Sequence, residues 1–447
     1  MHSFKLPENV NYIIHTLTEH GFEGYAVGGC VRDMLIGRIP QDWDITTSAK
    51  PEQVKALFSH TIDTGIEHGT VTVMLDHEGY EVTTYRIDGE YEDARHPKEV
   101  TFTANLVEDL KRRDFTINAM AYNETAGLID VFDGSGDLER RVIRCVGNPT
   151  ERFTEDALRM LRAVRFAGQL GFTIAPETKD GVRMLAPSIQ KVSAERIQTE
   201  LVKLLISDHP EELKTAYELG LTAQFLPEFD RMMETKQENM HHCYTVGEHT
   251  IHAVCGIRKD KVLRLTMLLH DVAKPLCVTV DEAGQEHYHG HPKLGAEMAG
   301  KILRRLKFDN ATIERTARLV AAHDDRPPLT EKAIRRAINR NGIEQYPALF
   351  EVKRADTMAQ SSYQREEKLA YIAEYEKLYQ DILLKKQCIC KKDMSVNGRD
   401  LIACGMKPGR ELGKVLDALF DAVLEEPELN EREKLLSLAH KIADPFI

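Results

Sequence analysis

The stretch from residue 28 to residue 47, GGCVRDMLIGRIPQDWDITT, constrains the fold more than any other part of the chain. A short apolar run, 25–27, precedes its Gly-Gly pair and a run of helical character, 31–36, follows it, which predicts a strand, a tight turn and a helix. Glycine permits the backbone of such a turn, and the amides that begin the helix can bind a phosphate. A second short strand is predicted at 43–46.

Two carboxylates, Asp42 and Asp44, lie two residues apart at this second strand. Because the side-chain period of a strand is two, we expect both on the same face, where they can share magnesium. Glu81, at the start of a later predicted strand, is either a third carboxylate at this site or an exposed strand residue. An Asp-x-Asp pair or a glycine turn alone is common, but together they predict a metal-dependent phosphoryl or nucleotidyl transferase.

The size and composition of the chain set wider limits. Its 447 residues are too many for a single hydrophobic core, and the length predicts about three domains. No apolar run approaches the roughly 18–20 residues of a membrane span, and the first residues lack the pattern of a secretory signal, so we expect a cytoplasmic protein with no membrane partner. The eight cysteines form no CxxC pair, which is typical of reduced thiols. A net charge of −12 disfavours a large non-specific nucleic-acid surface, although 301–307 and 332–340 are basic runs.

The N-terminal part of the chain is predicted to be a small mixed sheet of about five strands with helices packed on it. The strands are expected at 25–27, 43–46, 61–64, 70–75 and 81–86, and the helices at 1–20, 31–36 and 51–58. The polar segment 87–104 is predicted to be a loop beside the site. Helical patterns dominate after about residue 150, which predicts an α+β fold with a sheet-containing head and all-helical domains behind it.

Three consecutive basic residues, Lys111, Arg112 and Arg113, follow a short predicted helix at 106–110 and precede an apolar run. Such residues are most often a solvated helix end. Alternatively, an arginine where a loop meets the sheet can hold a triphosphate through paired N–H donors.

A long helix is predicted at 155–170. Thr154 is a candidate N-cap, while Glu155 and Asp156 suit the positive end of the helix dipole in its first turn. Gly171 is expected to end the helix.

Asp156, Arg159 and Arg162 recur every three residues on this helix and form a curved polar stripe, and Arg165 lies further around. An ion-paired surface helix is the usual meaning of such charges. The alternative is selection of a base, because a carboxylate accepts and a guanidinium donates. Cytosine and adenine present the complementary donor and acceptor, whereas guanine and uracil do not. The stripe can therefore select C and A without a nucleic-acid template.

With these residues in place, the first 205 or so residues resemble the class II tRNA nucleotidyltransferases, or CCA-adding enzymes, and the related bacterial poly(A) polymerases. The matching motifs, in the order of the family, are GGCVRD with DWDITTS, EVTTYR, RRDFTINAMAYN, RFTEDALRMLRAVRFAGQLGF and SAERIQTEL. The resemblance implies addition of C, C and A from CTP and ATP to the 3′ end of tRNA. The segment 87–104 matches the flexible loop of the family, which favours complete CCA addition.

The resemblance also assigns roles to residues. It implies that Asp42 and Asp44 hold the catalytic Mg²⁺ ions, and that Asp156 and Arg159 read the base. The nucleotide-binding residues that it implies are Gly29, Arg32 and Arg113 at the triphosphate, and Glu155, Asp156, Arg159, Arg162 and Arg165 on the helix.

The second half contains many histidines between residues 240 and 323, and no single one of them is informative. As an ordered set with nearby carboxylates, they resemble the HD phosphohydrolase superfamily. The metal ligands implied by this resemblance are His249, His270, Asp271 and Asp356, with His291 and His323 available to a second ion. Imidazole with carboxylate favours a divalent transition metal, which can activate water against a phosphomonoester or a 2′,3′-cyclic phosphate. A retained hydrolase and a purely structural domain both remain open.

Four regions follow from these assignments. They are a nucleotidyltransferase head at 1–145, a nucleotide-selecting helical neck at 146–205, a helical body with the HD domain at 206–360, and a helical tRNA-binding region at 361–447. In the last region, the turn at 405–413 is either a contact of Arg410 with a tRNA phosphate or a simple helical hairpin. The rival functions are a poly(A) polymerase, a protein whose main activity is HD phosphohydrolysis, and a non-catalytic RNA-binding protein.

Overall fold

The structure of the chain is a computed structural model that describes residues 4–89, 100–237, 244–282 and 286–443. It contains two compact units. The first consists of Met1–Asp230 with Arg305–Phe308, and the second of Arg231–Arg304 with Asp309–Ile447. The division into four regions stays a prediction.

The head of the first unit is a mixed sheet of seven strands in the order β3-β4-β5-β2-β1-β8-β9. The strands of the head are β1 (Gly24–Val27), β2 (Asp44–Thr47), β3 (Thr61–Gly65), β4 (Thr70–Leu75), β5 (Glu78–Thr84), β6 (Arg86–Asp88), β7 (Val100–Phe102), β8 (Met120–Asn123) and β9 (Gly127–Asp130). β2 is the middle strand and runs parallel to β5, while the other neighbours in the sheet are antiparallel. The predicted α+β class is confirmed.

The sheet has more strands than predicted because β8 and β9 give weak sequence signals. All four residues of β8 are buried, so it lacks the polar and apolar alternation of a half-exposed strand. The prediction of a loop at 87–104 was wrong at its two ends, since β6 and β7 pair with each other. The middle of that segment, 90–99, lies outside the described residues.

Helices cover the sheet, and α1 shows why they form there. Its apolar side chains Val10, Ile13, Ile14 and Leu17 recur at helical spacing and are all buried, as predicted. The helices of the head are α1 (Glu8–Glu19), α2 (Gly29–Leu35), α3 (Pro51–Leu57), α4 (Leu106–Lys111) and α5 (Gly134–Arg140).

The prediction of one long helix at 155–170 was wrong, because two helices meet there. Asp156 has an extended backbone (φ −140°, ψ 103°), and its Oδ1 accepts a hydrogen bond from the N–H of Leu158 at 3.1 Å. Aspartate caps a new helix in this way. Thr154 therefore lies inside the first helix, whose N-cap is Asn148, and Gly171 ends the second helix as predicted.

The remaining elements of the first unit are mostly helical. They are β10 (Val142–Ile143), α6 (Pro149–Glu155), α7 (Leu158–Leu170), β11 (Thr173–Ile174), α8 (Pro176–Leu185), α9 (Ala194–Leu205), α10 (Leu213–Glu218), α11 (Thr222–Phe225) and α12 (Pro227–Glu234), of which the last continues into the second unit.

Within its described residues, the second unit is helical apart from one short antiparallel pair of strands. Its elements are α13 (Val246–Cys255), α14 (Lys261–Leu269), α15 (Lys274–Cys277), β12 (Thr279–Val280), β13 (Glu286–His287), α16 (His291–Arg305), α17 (Asn310–Ala322), α18 (Glu331–Asn341), α19 (Tyr346–Ala359), α20 (Arg365–Leu384), α21 (Gly398–Ala403), α22 (Arg410–Glu425) and α23 (Arg432–Ala443). The predicted turn at 405–413 lies largely between α21 and α22, and its contact with tRNA stays a prediction. Among the described residues, no helix combines the length and apolar character needed to cross a bilayer.

Candidate functional site

The glycine turn brings an arginine close to the backbone. Gly28 has φ +82°, and a Cβ atom on it would lie 2.9 Å from Nη1 of Arg113. Its N–H donates to the carbonyl of Met120 on β8 at 3.2 Å, which ties the turn to the sheet. Nε of Arg113 is buried and meets no acceptor within the described part of the chain. Nη2 of Arg113 lies 3.6 Å from Oδ2 of Asp109, so the guanidinium is held beside the glycine turn.

Three carboxylates lie close enough to repel one another where β2 and β5 run side by side. Asp44 begins β2 and pairs in register with Glu81 of β5, while Asp42 lies just before the strand. Loss of solvent around the carboxylate raises the pKa of Asp44. The positive charge of Arg113 lowers this pKa, and the negative charge of Asp42 raises it. Loss of solvent raises the pKa of Glu81, and the negative charges of Asp44 and Asp42 raise it further. Such mutual repulsion of oxygen ligands fits a divalent cation. We call Asp42, Asp44 and Glu81 the head site.

Arg32 is oriented toward the same region by three contacts. Its Nη1 donates to Asn118 Oδ1 at 2.8 Å, its Nε donates to Asp33 Oδ1 at 2.9 Å, and its guanidinium lies 5.1 Å from the ring centre of Phe166. Gly29, Arg32, Asp42 and Asp44 line one cleft of about 550 Å³. The structure therefore brings together these four residues, which the sequence had placed at the metal and triphosphate.

The predicted base-reading residues are held by ion pairs around the start of α7. Oδ2 of Asp156 accepts from Nη2 of Arg196 on α9 at 2.7 Å. Arg159 donates from Nη1 to Glu155 Oε2 at 2.7 Å and from Nη2 to the carbonyl of Arg112 at 3.0 Å. Arg196 was missed as a separate candidate, although it lies inside the SAERIQTEL motif.

Arg162 forms an ion pair with Asp114. It donates to Oδ2 of Asp114 from Nε at 2.9 Å and from Nη2 at 2.6 Å. Burial alone would raise the pKa of Asp114, but Arg162, and Arg159 to a smaller extent, hold it well below its usual range. Asp114 thus links the basic run at 111–113 to α7.

Arg165 points into the protein. Its side chain is 8% exposed, its Nε lies 2.5 Å from Glu200 Oε2, and its Nη1 lies 2.6 Å from Gln169 Oε1. Its guanidinium is 3.7 Å from the ring centre of Phe166. Burial lowers the pKa of Arg165 to about 10, and Glu200 opposes this shift. Contact of Arg165 with a nucleotide stays a prediction, and the geometry assigns it a supporting role between α7 and α9.

Glu200→Gln is expected to lower the free energy of unfolding by about 3 kcal/mol, because it leaves the Arg165 charge buried without a carboxylate. Urea unfolding monitored by circular dichroism measures the change. Glu195→Gln, at an exposed position of the same helix, is the control. Adding Arg165→Met to Glu200→Gln should recover part of the loss, and a Glu200→Gln effect below about 0.5 kcal/mol would contradict the assignment.

The second unit gathers four imidazoles and two carboxylates at one place, which we call the histidine site. Its residues are His249, His270, Asp271, His291, His323 and Asp356, all of them buried. Nε2 of His249 lies 3.2 Å from Nε2 of His270 and 3.0 Å from Oδ1 of Asp356. Nε2 of His270 lies 3.2 Å from Oδ2 of Asp271. These four residues are the ones that the HD resemblance implied.

Asp271 joins this group to a second one. Its Oδ1 lies 3.4 Å from Nε2 of His291 and 3.7 Å from Nε2 of His323, and these two nitrogens are 3.2 Å apart. Two groups of ligand atoms, each close enough to hold a metal ion, therefore share the carboxylate of Asp271.

The opposite ring nitrogens explain how the imidazoles are oriented. Nδ1 of His270, His291 and His323 each lies 2.7 Å from a backbone carbonyl, and Nδ1 of His249 lies 3.3 Å from one. A proton on Nδ1 leaves the lone pair of Nε2 directed into the site, as metal-ligating histidines require. Burial would lower the pKa of His270, but the carboxylates of Asp271 and Asp356 raise it above its usual value, so these two groups stabilise positive charge beside the ring. The donor set fits a divalent transition metal.

Lys274 is an additional member that sequence reasoning missed. Its Nζ lies 2.7 Å from Asp271 Oδ2 and 3.2 Å from Gln237 Oε1. Its position three residues after Asp271 was the available signal, because residues three apart on a helical turn are neighbours.

Three family models match the chain. They describe the poly(A) polymerase head domain at residues 24–144, a probable RNA- and SrmB-binding site of polymerase A at 171–233, and a putative tRNA nucleotidyltransferase domain 2 at 292–439. The head model contains every residue of the head site, and the last model contains His323 and Asp356 of the histidine site.

Similar proteins cover nearly the whole chain. The CCA-adding enzyme of Limosilactobacillus fermentum is 36% identical over 435 residues, which are 96% of each chain. The CCA-adding enzyme of Geobacillus kaustophilus is 36% identical over 95% of this chain and 94% of that relative. The crystal structure of the Bacillus stearothermophilus CCA-adding enzyme in complex with CTP matches with a TM-score of 0.73 and 30% identity over 99% of both chains. The chain thus belongs to the family of CCA-adding enzymes, which are tRNA nucleotidyltransferases.

Proposed function

We propose that the head site transfers C, C and A from CTP and ATP to the 3′ end of tRNA, with Asp42 and Asp44 holding Mg²⁺ and Glu81 beside them. The assignment rests on one observation: these three carboxylates lie close together at the middle of the sheet, where Asp44 and Glu81 are in register. Asp42 and Asp44 would hold Mg²⁺, which would supply positive charge to the triphosphate and to the attacking hydroxyl. Arg32 and Arg113 orient the triphosphate by hydrogen bonding. We also propose that the protein acts in the cytoplasm.

The reaction forms a bond between the 3′ oxygen of tRNA and the α-phosphorus and breaks the bond to the leaving pyrophosphate. Asp156 accepts from the exocyclic amino group of cytosine or adenine, and Arg159 donates to the adjacent ring nitrogen. To do this, Arg159 turns from its present partners toward the base. Arg196 positions the Asp156 carboxylate through the 2.7 Å contact.

Asp156→Asn is expected to reduce the preference for CTP over UTP by about 10- to 100-fold, because an amide can also offer a donor to the uracil carbonyl. The ratio of kcat/KM for the two nucleotides measures this preference. Asp180→Asn changes an exposed carboxylate on α8 and is expected to leave the ratio unchanged. An unaltered ratio in Asp156→Asn would remove Asp156 from base selection.

The direct test of the proposed function uses tRNA that lacks its last three nucleotides. The protein is incubated with this tRNA, Mg²⁺ and each labelled nucleotide, singly and in pairs, and the product ends are sequenced. Addition of C-C-A followed by a halt is the expected result. Long tails of A alone would indicate a poly(A) polymerase, and no addition would contradict the assignment of the head site.

We propose metal-dependent phosphohydrolysis as a second activity, located at the histidine site. The sharing of Asp271 between two ligand groups supports it. His249, His270, Asp271 and Asp356 would hold a metal that would activate a water molecule. In the reaction, a water oxygen bonds to phosphorus, the bond from phosphorus to a ribose oxygen breaks, and that oxygen takes up a proton. Phosphomonoesters and 2′,3′-cyclic phosphates at RNA ends are the proposed substrates.

A further inference from the structure

A cavity of about 400 Å³ opens onto the histidine site, and its lining contains three cationic side chains together with the carboxylates of Glu286 and Asp324. Asp271, His291, His323 and Asp356 contribute to one part of its lining, and Lys274, Arg326 and Lys368 to another. Lys274 is paired with Asp271 inside the site. Arg326 is 56% exposed, with its Nη2 3.1 Å from Asp324 Oδ1, and remains accessible to a ligand.

Lys368 is connected to a proposed metal ligand through one glutamine. Its Nζ donates to Gln360 Oε1 at 2.7 Å, and Nε2 of Gln360 lies 3.1 Å and 3.2 Å from the two carboxylate oxygens of Asp356. The ammonium group is therefore held at a defined position two hydrogen bonds from Asp356. Burial lowers the pKa of Lys368, and Arg326 lowers it further, so the two cations are close enough to repel each other. An anion between them would relieve this repulsion.

A second cavity of about 380 Å³ continues from the first and shares His323, Arg326, Asp356 and Lys368 with it. Its lining includes the ring of Tyr371 and the buried side chain of Ile372 on α20. The hydroxyl of Tyr371 donates to the carbonyl of Pro327 at 2.6 Å, which restrains the ring. An aromatic ring beside an aliphatic side chain is a surface on which a nucleobase can stack.

We propose that Arg326 and Lys368 bind the phosphate of a nucleotide at the histidine site, and that Tyr371 receives its base. This inference rests on the proposed hydrolase function and deepens it. The ligand is then a nucleoside phosphate, such as the end of an RNA chain, whose base contributes to binding. A small phosphate ester without a base would bind more weakly.

Isothermal titration calorimetry with 3′-AMP and with inorganic phosphate tests the assignment, and metal content is measured on the same samples. Arg326→Gln and Lys368→Gln are each expected to weaken binding of both probes about tenfold, because each removes a charged hydrogen-bond donor. Tyr371→Ala should weaken binding of 3′-AMP about tenfold and change that of phosphate less than twofold. Lys377→Gln, at a 67% exposed position on α20, is the matched control and should change neither.

Measurement of the metal content distinguishes a failure of the hydrolase function from a failure of the nucleotide-binding inference. Purified protein that retains no transition metal would overturn the hydrolase function and this inference with it. Metal-loaded protein that binds 3′-AMP no better than phosphate, or whose Arg326→Gln and Lys368→Gln variants bind like the parent, would overturn this inference alone. A loss of metal in either variant would show a structural role and would also contradict it.

Discussion

Asp42→Asn is expected to reduce nucleotide addition by about a thousandfold or more. The substitution keeps the size of the side chain but removes one of the charges that we assign to Mg²⁺. Loss of several kcal/mol of metal-dependent stabilisation corresponds to a rate effect of this order. Asp44→Asn should have an effect of similar size, because Asp44 is the second proposed Mg²⁺ ligand and lies close enough to Asp42 for the two charges to repel each other.

Incorporation of labelled CMP into tRNA that lacks its CCA end measures this effect. Asp63→Asn is the control, since Asp63 belongs to the same sheet but is exposed and pairs with Lys55. Metal content and phosphohydrolysis at the histidine site should remain within about twofold of the parent protein. A decrease of less than tenfold in Asp42→Asn would show that Asp42 does not hold a catalytic metal.

Asp271→Asn should abolish binding of transition metal and reduce phosphohydrolysis by about a thousandfold. One oxygen of Asp271 faces the group formed by His249 and His270, and the other faces His291 and His323. Removal of its charge therefore weakens both groups of ligands at once. Nucleotide addition is expected to continue at the parent rate, because it is assigned to the other unit.

Elemental analysis of the purified protein and hydrolysis of 2′,3′-cyclic AMP provide the two measurements. His291→Gln should affect only the second group of ligands and leave the metal held by His249 and His270. Asp417→Asn, at an exposed position in the same unit, serves as the control. If Asp271→Asn also stopped nucleotide addition while its urea unfolding matched that of the parent, the assignment of two separate sites would be wrong.

The sequence was informative wherever a property depends on residues close together in the chain. Helical spacing of Val10, Ile13 and Leu17 predicted α1, because the helical period by itself decides which side chains share a face. The turn at Gly28 and the class of the fold were likewise predictable. Asp156 shows the limit of such reasoning. Its carboxylate competes for the backbone N–H of Leu158 and interrupts a pattern that otherwise reads as one helix.

The spacing along the chain predicted the carboxylate pair Asp42 and Asp44, and the HD resemblance predicted the imidazoles of the histidine site. Only the tertiary structure decided which of them face each other. Glu81 pairs with Asp44 through strand register, Arg196 reaches Asp156 across two helices, and Arg165 is directed to Glu200. Gln360 likewise links Lys368 to Asp356. These partners are decided by packing between separate elements, so the spacing along the chain does not specify them.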